Sequence, residues 1–310
     1  MSRPPRPALA VALALVAAAV AAPAQAATAS ASICDPLRLD ALVASSGPAG
    51  LAGRGTSGRE RDTGQIATDL PASAKGKAPA RFAATVPVFF HVITDGATGN
   101  LTDAQIAAQM RVLNTTFAGG EGGARTGFSF TLAGVDRTDN AAWFNDGGGG
   151  VNEKAMKAAL HRGGTDALNV YTTDAGAFLG WAYLPDITTK PGQAFIDGIV
   201  IDWETVPGAS TTYAGQFDLG ETLTHEAGHW LNLEHTFFGG CNANGDFVDD
   251  TPAMKTPTSG CPAGKDTCPA PGDDPIHNYM DYSFDSCYTQ FTAGQTQRMR
   301  DSWLLYRAGG

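Results

Sequence analysis

The 310-residue chain predicts an α+β fold: a twisted mixed sheet backed by helices, with one helix carrying the chemistry, then an irregular, disulfide-stapled lower subdomain and a C-terminal helix. Three observations predict it. From residue 86, strand-like and helix-like stretches follow one another as strand, helix, strand, helix, strand, strand and helix. After His235 that periodicity gives way to Gly, Pro, Asp and Cys, a composition that cannot bury enough apolar surface to hold itself together. Helical spacing returns near residue 293 and runs almost to the end.

The chain starts with Arg3 and Arg6 ahead of an apolar run over 8–22, and Ala24-Gln25-Ala26 supplies small residues flanking a cleavage point. Residues 1–26 therefore read as a signal peptide, and the protein as secreted. No other stretch is long and apolar enough to cross a bilayer. Residues 27–80 are rich in Ala, Gly, Ser and Arg and poor in large apolar groups, the composition of a flexible or loosely docked pro-segment. Cys34 within it could act as a latency thiol, its thiolate taking the open position of a catalytic metal; an intermolecular disulfide or a bystander thiol are the plainer readings. From residue 81 to 310 the texture changes to that of a globular domain.

VPVFFHVI, 86–93, is β-branched and aromatic and almost continuously apolar, as in a strand covered on both faces, with His91 a packed strand residue. Thr102 and Gln105 make a capping box opening DAQIAAQMRVLNTTF, whose Ile106, Met110 and Leu113 recur at helical spacing. GFSFTLAGV alternates like a half-buried strand. A Gly run at 147–150 precedes a second helix over about 153–160, with His161 placed as a cation at its C-terminus. ALNVYTTD and DGIVIDWE read as two more strands separated by a loop, LGWAYLPDITTKPGQAF. The stretch 198–203 is a candidate edge strand along which an extended peptide could pair.

The segment TLTHEAGHWLNLEH, 222–235, carries the chemistry. His225 and His229 are four apart, so on a helix both imidazoles leave one face a turn apart and can hold one metal. Glu226 is placed to hold a water on that metal and act as general base. His235, ten residues past His225, would sit about 15 Å along an unbroken helix. It can reach the same ion only if the helix stops, and Asn232, which tolerates the left-handed conformation, stands where a stop is needed. Three imidazoles beside a carboxylate point to zinc. A third ligand from a downstream glutamate is excluded by inventory, because none follows Glu234; a downstream Asp stays open as the alternative to His235, the simpler third arm.

The lower part holds Cys241, Cys261, Cys268 and Cys287, which allow three pairings. GDFVDDT places Asp246, Asp249, Asp250 and Thr251 together, oxygen donors suited to calcium although not spaced as an EF-hand. Met299, Trp303 and Leu304 fall at packing intervals on the last helix. The formal net charge is −10, with the acidic excess concentrated after residue 81, which argues against nucleic acid or anionic lipid as partner.

The three His with a helix-ending residue between the second and third, followed by NYMDYS at 278–283, resemble the metzincin metalloproteases. The segments LTHEAGHWLNLEHTF, GGC, DDTPA and DPIHNYMDYSFDSCYTQFTAGQTQRM narrow the resemblance to the pappalysin family, in its ulilysin-like and fungal extracellular forms. That resemblance implies a metzincin-like fold and a zinc endopeptidase acting on protein or peptide substrates, with ligands His225, His229 and His235 and general base Glu226. It further implies Met280 as the turn residue beneath the metal and Tyr282 as a supporter of the tetrahedral intermediate. It pairs Cys241 with Cys268 and Cys261 with Cys287, and puts calcium in the loop 242–251 with Asp246 and Thr251 as ligands. The chain departs from the family in having Asn232 where Gly is usual. A family preference for Arg on the leaving side of the cut bond rests on an acidic residue near the pocket base, where this chain has Ser286 before Cys287 and Asp285 next to it. If that preference persists, a cut between residues 80 and 81 would let the enzyme release its own front segment. A binding or adhesion protein with structural zinc and a metal-dependent hydrolase of non-peptide bonds are the alternative functions.

Overall fold

The computed structural model describes residues 60–145, 150–209, 212–242 and 245–310. The leader and the whole of 27–59, Cys34 included, lie outside the described residues.

Strand β1 (Ala84–Thr94) pairs in parallel with β2 (Phe128–Asp139) on one side and β3 (Leu168–Thr173) on the other. This central position is why it reads as nearly continuous apolar sequence. β3 pairs in parallel with β5 (Ile199–Asp202), and the three-residue β4 (Gly180–Ala182) closes the sheet antiparallel to β5, in the order β2-β1-β3-β5-β4. The stretch 198–203 is therefore not an edge. β5 lies between two strands with all four residues buried, and the edge is β4, inside the stretch expected to be a loop. Three residues beginning with Gly are too few to show alternation, so β4 left no mark in the sequence pattern.

Helix α1 (Asp103–Phe117) opens on the expected capping box, with Gln105 N–H donating to Thr102 Oγ1 and Thr102 N–H to Gln105 Oε1. Its Ile106, Met110, Leu113 and Phe117 pack with Val86, Val88, Phe90, Ile199 and Ile201 from one face of the sheet. A short helix α2 (Ala141–Phe144) and helix α3 (Val151–Leu160) cover the other face, where Phe144 and Met156 meet Ile93, Tyr171, Trp181 and Val200. His91 is fully buried between Asp136 and Asn169, a packed strand residue as expected. His161 caps α3, and burial pushes its pKa below the ordinary value, which works against the positive charge expected there.

Helix α4 (Glu221–Trp230) crosses the first face of the sheet, and every one of its residues is buried. Beyond it Cys241–Cys268 and Cys261–Cys287 are bonded, tying an irregular region that has a small apolar cluster of its own, Phe237, Met254 and Tyr282, besides the Tyr279, Met280, Tyr288 and Phe291 it lends to the main core. Helix α5 (Ala293–Tyr306) starts on a second capping box, Thr292 with Gln295. Met299 and Trp303 are buried in the main core, whereas Leu304 is 43% exposed and does not pack.

Residues 60–78 are not loosely docked. Arg61 pairs with Glu153, Asp69 with Arg298, and Asp301 accepts the N–H groups of Gly76, Lys77 and Ala78. Composition anticipates what a segment can bury by itself; here polar side chains clip onto a body that is already formed, a long-range effect that composition does not carry.

Candidate active site

His225 and His229 leave one face of α4, with their Nε2 atoms 3.1 Å apart. The helix then stops at Asn232, whose φ of 79° puts it in the left-handed region. Asn232 N–H donates to His229 O at 2.8 Å and Leu233 N–H to Gly228 O at 2.9 Å, the paired bonds of a Schellman cap with Asn in the position usually held by Gly. Arg298 Nε donates to Asn232 O at 2.7 Å and holds the turned peptide. The reversal brings His235 Nε2 to 3.2 Å from His229 Nε2.

The protonation of two rings follows from their partners. His225 Nδ1 meets Tyr279 O at 2.6 Å and His229 Nδ1 meets Leu233 O at 2.8 Å. A carbonyl can only accept, so each Nδ1 carries the proton and each Nε2 presents a lone pair. Lone pairs converging at this separation repel unless a cation lies among them. Zinc–nitrogen bonds of about 2.0–2.1 Å in tetrahedral geometry imply nitrogen–nitrogen edges of about 3.4 Å, so the donor set fits a zinc ion.

Met280 is fully buried against α4, where a Cβ added to Gly228 would run into its Sδ. Gly228, between His225 and His229, thus lets the chain at Met280 approach the helix. Tyr282 packs edge-on against His235, with ring centroids 4.8 Å apart, and tilted against His225 at 5.6 Å. Glu226 is 2% exposed and points to the sheet edge, where a Cβ on Gly180 would stand 3.0 Å from its Oε1. Burial and, next, the nearby Glu60 carboxylate push the Glu226 carboxyl well above the usual range.

Two residues went unnoticed in the sequence. Gly180 is one, a site where the bare backbone of the edge strand makes room for Glu226. The other is Glu60, in a stretch that reads as low-complexity. Its Oε2 is 2.6 Å from His235 Nε2, 3.3 Å from His229 Nε2 and 3.7 Å from His225 Nε2, and it accepts from Tyr282 Oη at 3.2 Å. No local signal marks it.

A cleft of about 380 Å³ runs past His229 and His235, lined also by Glu60, Arg61, Leu184 and Tyr282. A smaller pocket beside His225 and Glu226 has Phe217, Tyr288, Glu221 and Asp285 in its wall. Burial and then the Asp285 charge raise the Glu221 carboxyl to about 9. Asp285, itself raised to about 6 by burial, accepts the N–H groups of Leu219 and Gly220 through Oδ2. In the lower part, Asp246 is buried and raised to about 7 by desolvation, with the Thr251 hydroxyl near enough to oppose that rise. Asp246 Oδ2 and Thr251 Oγ1 both sit buried outside any well-formed hydrogen bond.

Comparison with known proteins adds relatives to this geometry. The family model for pregnancy-associated plasma protein-A (Peptidase_M43) matches residues 207–303, from the approach to α4 through most of α5. An extracellular metalloprotease of Arthroderma benhamiae is 47% identical over 232 residues, 73% of this chain and 74% of that protein. The chain belongs to this metallopeptidase family. A further family member, an extracellular metalloprotease of Verticillium alfalfae, is 49% identical over 243 residues, 75% of this chain and 80% of its own length. Among solved structures, a promirolysin mutant of Tannerella forsythia superposes with a TM-score of 0.64 at 27% identity, covering 76% of this chain and 85% of that one. Mature mirolysin with a cleaved peptide gives 0.59 at 30% identity, covering 72% and 92%. The resemblance read from LTHEAGHWLNLEHTF, GGC, DDTPA and the segment around NYMDYS is therefore to the right family, and the metzincin-like α+β architecture is that of these neighbours.

Proposed function

We propose that the chain is a secreted zinc endopeptidase that cuts protein or peptide chains, with His225, His229 and His235 as metal ligands. The observation that carries this is the convergence of three imidazole nitrogens, two of them fixed as lone-pair donors by backbone carbonyls, beside a buried carboxylate. Zinc held there would supply Lewis acidity, bringing the pKa of a bound water from about 16 toward 7. Glu226 takes the proton of the attacking water and returns it to the leaving amine. The Tyr282 phenol donates to the oxygen on which negative charge develops. Once cleared of the segment at Glu60, the outer side of β4 offers backbone N–H and C=O groups to an extended substrate, and the pocket with Glu221 and Asp285 receives the side chain next to the cut, with Asp285 as the charged member of its wall for a basic residue.

The test is casein digestion by the mature form. Glu226→Ala should lose turnover by at least about 10²-fold while keeping one zinc per chain, and a chelator should abolish activity until zinc is restored. Full activity of Glu226→Ala, or of the chelated protein, refutes the assignment. Peptides differing only in Arg or Leu after the cut bond test the pocket.

We further propose calcium binding at Asp246 and Thr251, supported by their buried, under-coordinated oxygens; a melting temperature unmoved by millimolar calcium counts against it. The division into a signal peptide over 1–26, a pro-segment over 27–80 and a catalytic domain over 81–310 is part of the same reading. N-terminal sequencing of the secreted product checks it.

A further inference from the structure

Resting on the zinc reading above, we infer that Glu60 supplies the fourth ligand of the metal in the uncleaved chain, which makes residues 60–78 a built-in inhibitor. Glu60 Oε2 faces all three ligand nitrogens, 2.6 Å from that of His235 and 3.3 and 3.7 Å from those of His229 and His225. The four donor atoms lie within 4.8 Å of one another, the only such group of four among the described residues. Carboxylate oxygen is an ordinary zinc ligand, and a three-nitrogen, one-oxygen set closes a tetrahedral site.

The same placement disables each part of the proposed machinery. The carboxylate occupies the position a water must take, and it accepts the Tyr282 hydroxyl that would otherwise serve the oxyanion. It also sets a second acid beside Glu226. The backbone of Glu60 bridges in parallel to Gly180, so the segment covers the strand edge a substrate would use. A side chain, not a peptide carbonyl, faces the metal site, so the inhibitor offers no bond to cut at that point.

Anchors farther along hold this residue in place. Arg61 Nη1 is 2.6 Å from Glu153 Oε2, with its guanidinium over the Trp181 ring. The Gln65 amide accepts from Leu184 N at 2.6 Å and donates to Leu184 O at 3.0 Å, as an added strand would. Arg298, which holds the Asn232 turn, also binds Asp69 at 3.0 Å, and Asp301 takes three successive N–H groups at 2.6–2.8 Å. Ligation through Glu60 is thus reinforced at four more points, and cutting the chain beyond residue 78 leaves all of them to dissociate together.

The test uses the full-length precursor in a Glu226→Ala background, which prevents self-cleavage, loaded with cobalt(II) as a spectroscopic stand-in for zinc. Three forms are compared: the parent, Glu60→Gln and Cys34→Ala, each checked for an unchanged melting profile. The parent should show d–d bands without a thiolate-to-cobalt charge-transfer band, and acetohydroxamate should not perturb them. Glu60→Gln should shift the bands and bind acetohydroxamate at least tenfold more tightly; Cys34→Ala should match the parent. A thiolate band in the parent that vanishes in Cys34→Ala, or hydroxamate binding unaltered by Glu60→Gln, overturns the inference and leaves the zinc reading intact. A parent that takes up no cobalt sinks both.

Discussion

Replacing Asn232 tests the step on which the metal site depends. Its φ of 79° is reached readily by Gly, tolerably by Asn and at about 1–2 kcal/mol by other L-residues. Asn232→Ala keeps the rest of the cap but adds that strain to any state in which the chain reverses. Where the chain does not reverse, His235 moves up to about 15 Å along the axis from His225 and is lost to the metal. Because metal binding selects the reversed state, the strain enters the binding free energy, and about 1–2 kcal/mol corresponds to a 5–30-fold weaker affinity. Asn232→Gly removes the strain and should bind zinc within about twofold of the parent, with a small loss of stability from greater freedom in the unfolded chain. The assay is competition with a chromophoric chelator on the Glu226→Ala form of the mature protein. If Asn232→Ala binds as tightly as the parent, or Asn232→Gly binds more weakly than Asn232→Ala, backbone strain is not what governs the turn.

Two further outcomes are expected. In Gly180→Ala the new Cβ would lie 2.9 Å from Val200 O, which cannot move, and 3.0 Å from Glu226 Oε1, which must; kcat should fall about 10–100-fold with zinc content unchanged, and an unaltered kcat would remove Gly180 from the site. Asp202 accepts N–H groups from Ala175 and Glu204 yet is raised by burial to about 7. With the folded value above the unfolded one of about 3.9, its contribution is full below about pH 4 and lost as pH rises through about 7. Urea unfolding at pH 4.5 and 8 should therefore show a stability loss that is smaller in Asp202→Asn, and equal slopes in the two proteins would contradict this.

What the sequence made legible was whatever depends on neighbours a few residues apart. The capping box at Thr102, the core spacing of Ile106, Met110 and Leu113, and the placing of His225 and His229 on one helix all follow from one-turn periodicity, and the structure has each of them. The second capping box, at Thr292 and Gln295, has the same four-residue form and was readable, though unread. Leu304 stands at a packing interval but beyond the edge of what α5 covers, because spacing defines a face of a helix and not how far its partner extends. The disulfide partners came from family likeness; the spacing of the four Cys left three pairings open.

The harder part was the sheet edge and what lies on it. β4 is three residues long and takes its identity from pairing with β5, so its own sequence carries almost no information. Glu60 is a stronger case, since it meets His235 across 175 positions and its flanks are Arg, Gly, Ser and Asp. A polar residue aimed at a functional group from another part of the chain has no periodicity to betray it; only its partner's geometry gives it meaning. The three histidines announce a metal from within eleven residues, whereas whatever restrains that metal can be drawn from anywhere the chain can reach. Local pattern therefore finds catalytic machinery more readily than its control, and in this protein Glu60 is where that difference lies.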